Sequence, residues 1–492
     1  MKPNTLWLMP LLAATMLVQP GCAVSPPGQV KAQPAAVGAV TFEGPVTGGT
    51  RGFPYSASIV DLAPYGYTES EYFVSGKAHA YHVAPGTTLG ADGRWQVVAG
   101  EDVPYKTRIL VRKPPADKFN GTIVIEYMQE YFGTERDTNY RWNAETLLRN
   151  GFGWVGVSMH HEGIDDTKPP QTITYAGKQI PIGTTLARWD PQRYGSLSVP
   201  SSDMSYDMLT QIAAALKDKK AAGGPDPFAG LNPKAVIGVG NTIAGERLAI
   251  YINAVQPQAK VFDGFFLQDL HTGAKLKLSG ADTPLPTVRT DVGVPVIVLN
   301  TTTASAERGP REEGRMLRFW APAGSSHTTG PYMARVGKAN QRDLGLDGGN
   351  CPADYANTFP VQYVSGAAIV AIDRWIKSGK AAPSFPQLAS FEGPKQPVLE
   401  PASYFDANGN VKGGLRTPWV DVPVARYDWR GECIGGSGRT FPFTTEQLKA
   451  LYGTPDVYHK RFAEAAKAAE KRGVLLPPDM QAAIEAANKV SW

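Results

Sequence analysis

From Thr122 onward, short continuous apolar runs alternate with longer stretches of helical spacing. Thr122-Ile-Val-Ile125, Trp154-Val-Gly-Val157, Ala235-Val-Ile-Gly-Val-Gly240, Val261-Phe-Asp-Gly-Phe-Phe-Leu267 and Val294-Pro-Val-Ile-Val-Leu299 read as strands buried on both faces. Between them the spacing predicts helices over Arg141–Asn150, stopped by Gly151, and over Asp203–Lys217, with Ser201, Ser202 or Asp203 as cap. A further strand-like run, Met316–Trp320, precedes His327, and a helix over Tyr363–Lys377 closes at Gly379. Such alternation predicts an α/β fold with a mostly parallel sheet covered on both sides. Val40–Lys113 differs. Its runs Tyr72-Phe-Val74 and Thr107-Arg-Ile-Leu-Val111 are broken by Gly and Pro clusters and predict an antiparallel entry section. Helices over Thr444–Leu451, Tyr458–Arg472 and Pro478–Lys489 form the tail.

The most informative segment is Gly240-Asn-Thr-Ile-Ala-Gly245, where a strand turns sharply into a helix carrying Leu248, Ile252 and Val255. The pattern G-x-S-x-G makes such a turn a nucleophile elbow. Small residues stand where the turn needs them, but the nucleophile position holds Thr242. Threonine keeps a hydroxyl that a histidine could deprotonate. Its extra methyl stiffens χ1 and raises the cost of a strained backbone. Taken alone, the segment fits a plain strand-to-helix turn equally well.

Composition adds a compartment. Lys2 followed by an apolar stretch from Leu6 to Val18 and small residues at Gly21, Cys22 and Ala23 reads as a secretory signal over residues 1–23. Cys22 is a candidate lipid anchor, with simple cleavage near Ala23 as the competing reading. A flexible linker is expected over 24–40, then one domain with insertions over 41–490. No later stretch is long and apolar enough to span a bilayer. The protein is expected to be exported: periplasmic, secreted or lipid-anchored. In an oxidising compartment Cys351 and Cys433 are expected to pair, against the alternative of two separate buried thiols. A net charge of +4 without a basic block gives no sign of nucleic acid or an anionic membrane surface as partner.

Several segments together resemble the α/β-hydrolase superfamily, and within it a bacterial family of exported α/β-hydrolase-domain proteins. They are Arg188-Trp-Asp-Pro-Gln-Arg-Tyr-Gly-Ser-Leu-Ser198, Ser205-Tyr-Asp-Met208, Arg247–Val255, Phe262-Asp-Gly-Phe-Phe266, Ala323-Gly-Ser-Ser-His327, Ala371-Ile-Asp-Arg-Trp375 and Gly414–Val424. The resemblance covers nearly the whole chain after the linker. It implies the α/β-hydrolase fold, with flanking helices, and a nucleophile, acid and histidine in that chain order. His327, of the seven histidines, stands where the resemblance puts the catalytic base. The usual acid position is empty: the loop after Leu299 reads Asn300-Thr-Thr-Thr-Ala304. Asp269, after the strand ending at Leu267, and Glu307 are the candidates to replace it; Asp269 is taken here, beside its other reading as a solvated loop carboxylate near His271. Backbone N–H groups of Ile243 and of the loop after Ile125, at Met128 or Gln129, would form the oxyanion hole.

Other clusters carry blander readings. His160, His161, Glu162, Asp165 and Asp166 lack a tetrahedral ligand set and read as cleft lining or a polar loop; no metal and no cofactor is expected. Glu126 and Glu130 would have to share a cleft for glycosidic chemistry. Trp142, Trp189 and Tyr194 either wall a pocket or pack in insertions. The whole reads as an esterase-like hydrolase of small-molecule carboxylic esters. The competing reading, from the changed nucleophile and acid positions, is a degenerate hydrolase that binds a ligand or partner without turnover.

Overall fold

The computed structural model describes residues 37–492 except 132, 176–177, 219–220, 271–275, 285–286, 309–311, 347–355, 389–403 and 431–437. The signal segment, Cys22, Cys351, Cys433 and His271 lie outside the described residues.

One ten-stranded sheet organises the chain. Its strands are β1 (Val40–Glu43), β2 (Thr68–Ala78), β3 (Val103–Lys113), β4 (Thr122–Tyr127), β5 (Gly153–Val157), β6 (Ala222–Gly223), β7 (Ala235–Asn241), β8 (Gly264–Gln268), β9 (Val296–Leu299) and β10 (Leu317–Trp320). Their order across the sheet is β6-β1-β2-β3-β5-β4-β7-β8-β9-β10. From β5 to β10 every pairing is parallel, whereas β1–β2, β2–β3 and β3–β5 are antiparallel. The antiparallel entry section and the parallel remainder follow the sequence pattern. Val40, assigned above to the linker, already opens β1.

Alternation along each strand divides the core. Ile123, Ile125, Val155, Val157 and Val236 face helices α2 (Ser205–Lys217) and α3 (Ile243–Ala254). Val124, Trp154, Ile237, Val239 and Phe266 face α1 (Thr138–Arg149), α5 (Gly330–Leu344) and α6 (Val361–Ser378) on the other side. Both faces are therefore apolar, which is why these strands carry no polar alternation. A short helix, α4 (Thr302–Arg308), follows β9. Tail helices α7 (Thr445–Tyr452), α8 (Pro455–Lys471) and α9 (Pro477–Ala487) make a smaller cluster around Tyr458 and Phe462. No helix among the described residues is long and apolar enough to cross a membrane.

Candidate active site

Asn241 is in register with Gln268, Gln268 with Leu299, and Leu299 with Trp320. The four strand ends thus stop on one line, and the residues just beyond them share the carboxyl edge of the sheet.

Thr242 is the turn between β7 and α3, with φ 50 and ψ −122. This is strained backbone for a β-branched residue, worth about 1–3 kcal/mol. Its N–H donates to the Gln268 carbonyl at 2.9 Å, and its own carbonyl accepts from Glu246 N–H at 2.8 Å. Close packing explains the small neighbours. A Cβ on Gly240 would lie 2.7 Å from the Ala244 carbonyl oxygen, and one on Gly245 3.1 Å from that of Gly240. The turn is folded too tightly on itself for larger residues.

Asp269 follows β8, also at positive φ (54), and is fully buried. Its Oδ2 lies 3.0 Å from Nδ1 of His327, which stands in the loop after β10. Its Oδ1 accepts from the N–H and the hydroxyl of Thr301, at 2.8 and 2.7 Å. The loop without an acid thus serves as a clamp. Besides Thr301, Asn300 Oδ1 accepts from Leu270 N–H at 3.1 Å, and Thr303 Oγ1 from His327 N–H at 3.2 Å. Glu307 falls within α4, and its side chain is outside those described.

The oxyanion candidates divide. Ile243 is the first residue of α3, where the N–H has no intrahelical acceptor. Met128 needs correcting: its N–H donates to the Val157 carbonyl at 3.3 Å and is engaged in the sheet. Gln129 makes a side-chain contact the sequence did not signal. It opens a small hairpin of Gln129–Tyr131 against Thr134–Arg136. Its Nε2 donates to Thr242 Oγ1 at 2.5 Å, while its Oε1 accepts from the Thr138 hydroxyl at 2.7 Å. A backbone argument had no way to reveal that side chain.

The remaining clusters separate. His160 is buried against the Tyr127 ring, centroids 5.2 Å apart. Burial and the Arg247 cation hold its imidazole well below the usual range. His161 instead points to Asp165, Nδ1 to Oδ1 3.0 Å, so the adjacent histidines share no ligand set. Glu126 and Glu130 do not meet either. Glu126 accepts from the N–H groups of Asn139 and Tyr140, at 2.7 and 2.9 Å, and from Trp154 Nε1 at 3.1 Å. It therefore occupies the positive end of α1. Glu130 accepts from Gly133 N–H in the hairpin. Trp189 packs edge-on against Tyr55, and the Tyr194 hydroxyl donates to Glu71, so both sit in the core. Trp142 stacks on Tyr332, centroids 4.2 Å apart.

The sequence did not single out His79, Asp102 and Asp207, whose ligand atoms lie within 4.8 Å of one another. His79 Nδ1 is 2.9 Å from Asp102, and Asp207 accepts from His79 N–H at 3.3 Å and from Gln211 Nε2 at 2.6 Å, so hydrogen bonds already join this group.

A sheet of this topology, with a strained hydroxyl residue between strand and helix and a buried Asp269 paired with a half-buried His327 on the neighbouring strand ends, defines an α/β-hydrolase fold. Residues 42–485 match the alpha/beta hydrolase domain family, and the chain belongs to it. The search of curated protein sequences found no match. Among solved structures, esterase Est22 is 12% identical, over 56% of this chain and 78% of its own, with a TM-score of 0.28. The glucuronoyl esterase from Solibacter usitatus is 11% identical, over 59% and 72%, at 0.26. A CE15 glucuronoyl esterase from Teredinibacter turnerae T7901 is 10% identical, over 66% and 72%, at 0.27. Scores this low say nothing of substrate or mechanism.

Proposed function

We propose that the protein is an exported hydrolase that cleaves carboxylic esters through an acyl-enzyme on Thr242. The observation that carries this reading is the Asp269–His327 contact of 3.0 Å on the sheet edge that also holds the strained Thr242. His327 takes the Thr242 proton as Oγ1 bonds to the ester carbonyl carbon. It then returns that proton to the departing alcohol. Water, deprotonated by the same imidazole, releases the acid and restores the hydroxyl. Asp269 holds the ring with Nδ1 protonated, leaving Nε2 as base. Charge on the carbonyl oxygen is met by N–H groups at Ile243 and Gln129.

The test is turnover of 4-nitrophenyl esters of graded acyl length by the parent, Thr242→Ala, Thr242→Ser and His327→Ala. The reading expects turnover in the parent, lost in both alanine variants and kept with serine. Turnover unaffected by Thr242→Ala would sink it. Silence in the parent with a gain in Thr242→Ser would favour a binding protein on a hydrolase scaffold.

A further inference from the structure

Arg136 is the register partner of Gln129, the residue whose amide touches Thr242. Directly opposed side chains in an antiparallel pair have Cβ atoms about 5 Å apart, so Arg136 stands next to the nucleophile's neighbour. It is half-buried, and its Nε is fully buried without a hydrogen-bond partner. Apart from Arg247, the nearby arginines are matched: Arg108 by Glu71 and Glu135, Arg112 by Glu69 and Asp137, Arg193 by Glu71, and Arg141 by Asp137. Arg136 has no such carboxylate among the described residues. Its electrostatic neighbours are Tyr55, Tyr131, Tyr332 and a second cation, Arg141. Burial, then the like charge of Arg141, holds its guanidinium below the usual range. Arg141 in turn keeps a buried Nη1 without a partner. Tyr332 lies against Thr138, which donates to Gln129.

A half-buried charge with no counter-ion is only partly solvated, and it is stabilised when a counter-ion arrives. We propose that Arg136, with Arg141 and Tyr332, forms a carboxylate subsite beside Thr242, so that the substrate is an ester that also carries a free carboxylate. The inference rests on the ester-hydrolase reading. Asp137 already matches Arg141, so one positive charge is left, which suits a monoanion. Glu130 feels Arg136 at longer range without an ion pair, and so disfavours a dianion such as phosphate. Arg247, the other arginine near the site without an ion pair, carries this less well, because both Glu130 and Glu162 contribute to its field.

The experiment compares kcat/KM for 4-nitrophenyl hydrogen glutarate with that for 4-nitrophenyl valerate, in the full chain and in Arg136→Gln and Arg136→Lys. Thermal shifts with glutarate as its monomethyl ester, which carries a single carboxylate, and with inorganic phosphate are read on Thr242→Ala, with and without Arg136→Gln. A charge-assisted bond contributes about 1.5–3 kcal/mol, so the acidic-to-neutral ratio should fall about tenfold or more in Arg136→Gln. The fall should lie mainly in KM and be largely restored by Arg136→Lys. Glutarate should raise Tm only where Arg136 is present, and unliganded Arg136→Gln should melt no lower than its parent. An unchanged ratio together with no glutarate shift overturns the subsite while leaving the ester reading standing. A glutarate shift lost in Arg136→Gln, with no ester turned over by any protein, supports the subsite and overturns the ester reading. A phosphate shift equal to that of glutarate overturns the carboxylate assignment.

Discussion

Asp269 and His327 meet at 3.0 Å across the end of β9, the strand that separates theirs. β9 brings no acid of its own to the contact but holds the acid through Thr301 and the histidine through Thr303. Replacing Asp269 by Asn keeps the shape but turns an amide toward the imidazole and favours the wrong tautomer. We expect kcat to fall about 10⁴-fold with little change in KM, read by steady-state ester kinetics. Adding Asn300→Asp, at the usual acid position, should recover part of the loss; no recovery would mean that this strand end cannot reach the ring.

Thr242→Gly should stabilise the fold while abolishing turnover. Glycine adopts positive φ without a Cβ clash, and relief of the strain is worth about 1–3 kcal/mol, less the lost bond from Gln129. Urea unfolding reads the difference, and a lower midpoint in the glycine variant would show that the turn is not strained.

Gly240→Ala should act in the opposite direction. Its Cβ would meet backbone, the Ala244 carbonyl oxygen at 2.7 Å, and backbone cannot swing aside as a side chain can. Overpacking of this kind costs about 1–3 kcal/mol. Both the unfolding midpoint and ester turnover should drop, because the clash falls on the elbow itself.

Glu126 makes stability depend on pH. Burial, then Asp137, pushes its carboxyl from 4.5 up to about 8, against the pull of the N–H groups it accepts from. The folded state therefore holds a proton that the unfolded chain has released. The resulting stability is fully present below pH 4.5 and is lost as pH rises through about 8. Glu126→Gln should flatten this part of the profile, seen as a parent-minus-variant difference in Tm that shrinks or reverses as pH increases from 4.5 to 8.

The elements that could be read from sequence were those whose periodicity matched their burial. The doubly buried strands β4, β5 and β7 were continuous apolar runs, and α6 carried a full apolar stripe. Helix α5 gave little signal, since its buried residues are Tyr332, Val336, Gly337, Ala339 and Asp343, of which only Tyr332 and Val336 are large and apolar. The strand expected from Val261 begins only at Gly264, because Asp263 leaves the run to accept from Val236 N–H and Lys217 Nζ. At the site, Thr242 and His327 were legible from local motifs. Asp269 stood beside Glu307 as one of two candidates, since which strand end lies next to His327 depends on sheet neighbours distant in sequence. The Gln129 side-chain contact and the position of Arg136 could not be found this way: both come from a three-residue hairpin ladder that has no periodic signature.

The strain at Thr242 has a bearing on how such a chain changes over generations. Drift has several exits from this backbone, because glycine or asparagine is more at ease at φ 50, and each exit would yield a sturdier molecule. A scaffold released from any task would be expected to take one of them. A branched hydroxyl residue at that position, on the sheet edge that also carries the Asp269–His327 pair, is the arrangement that relaxed selection erodes first.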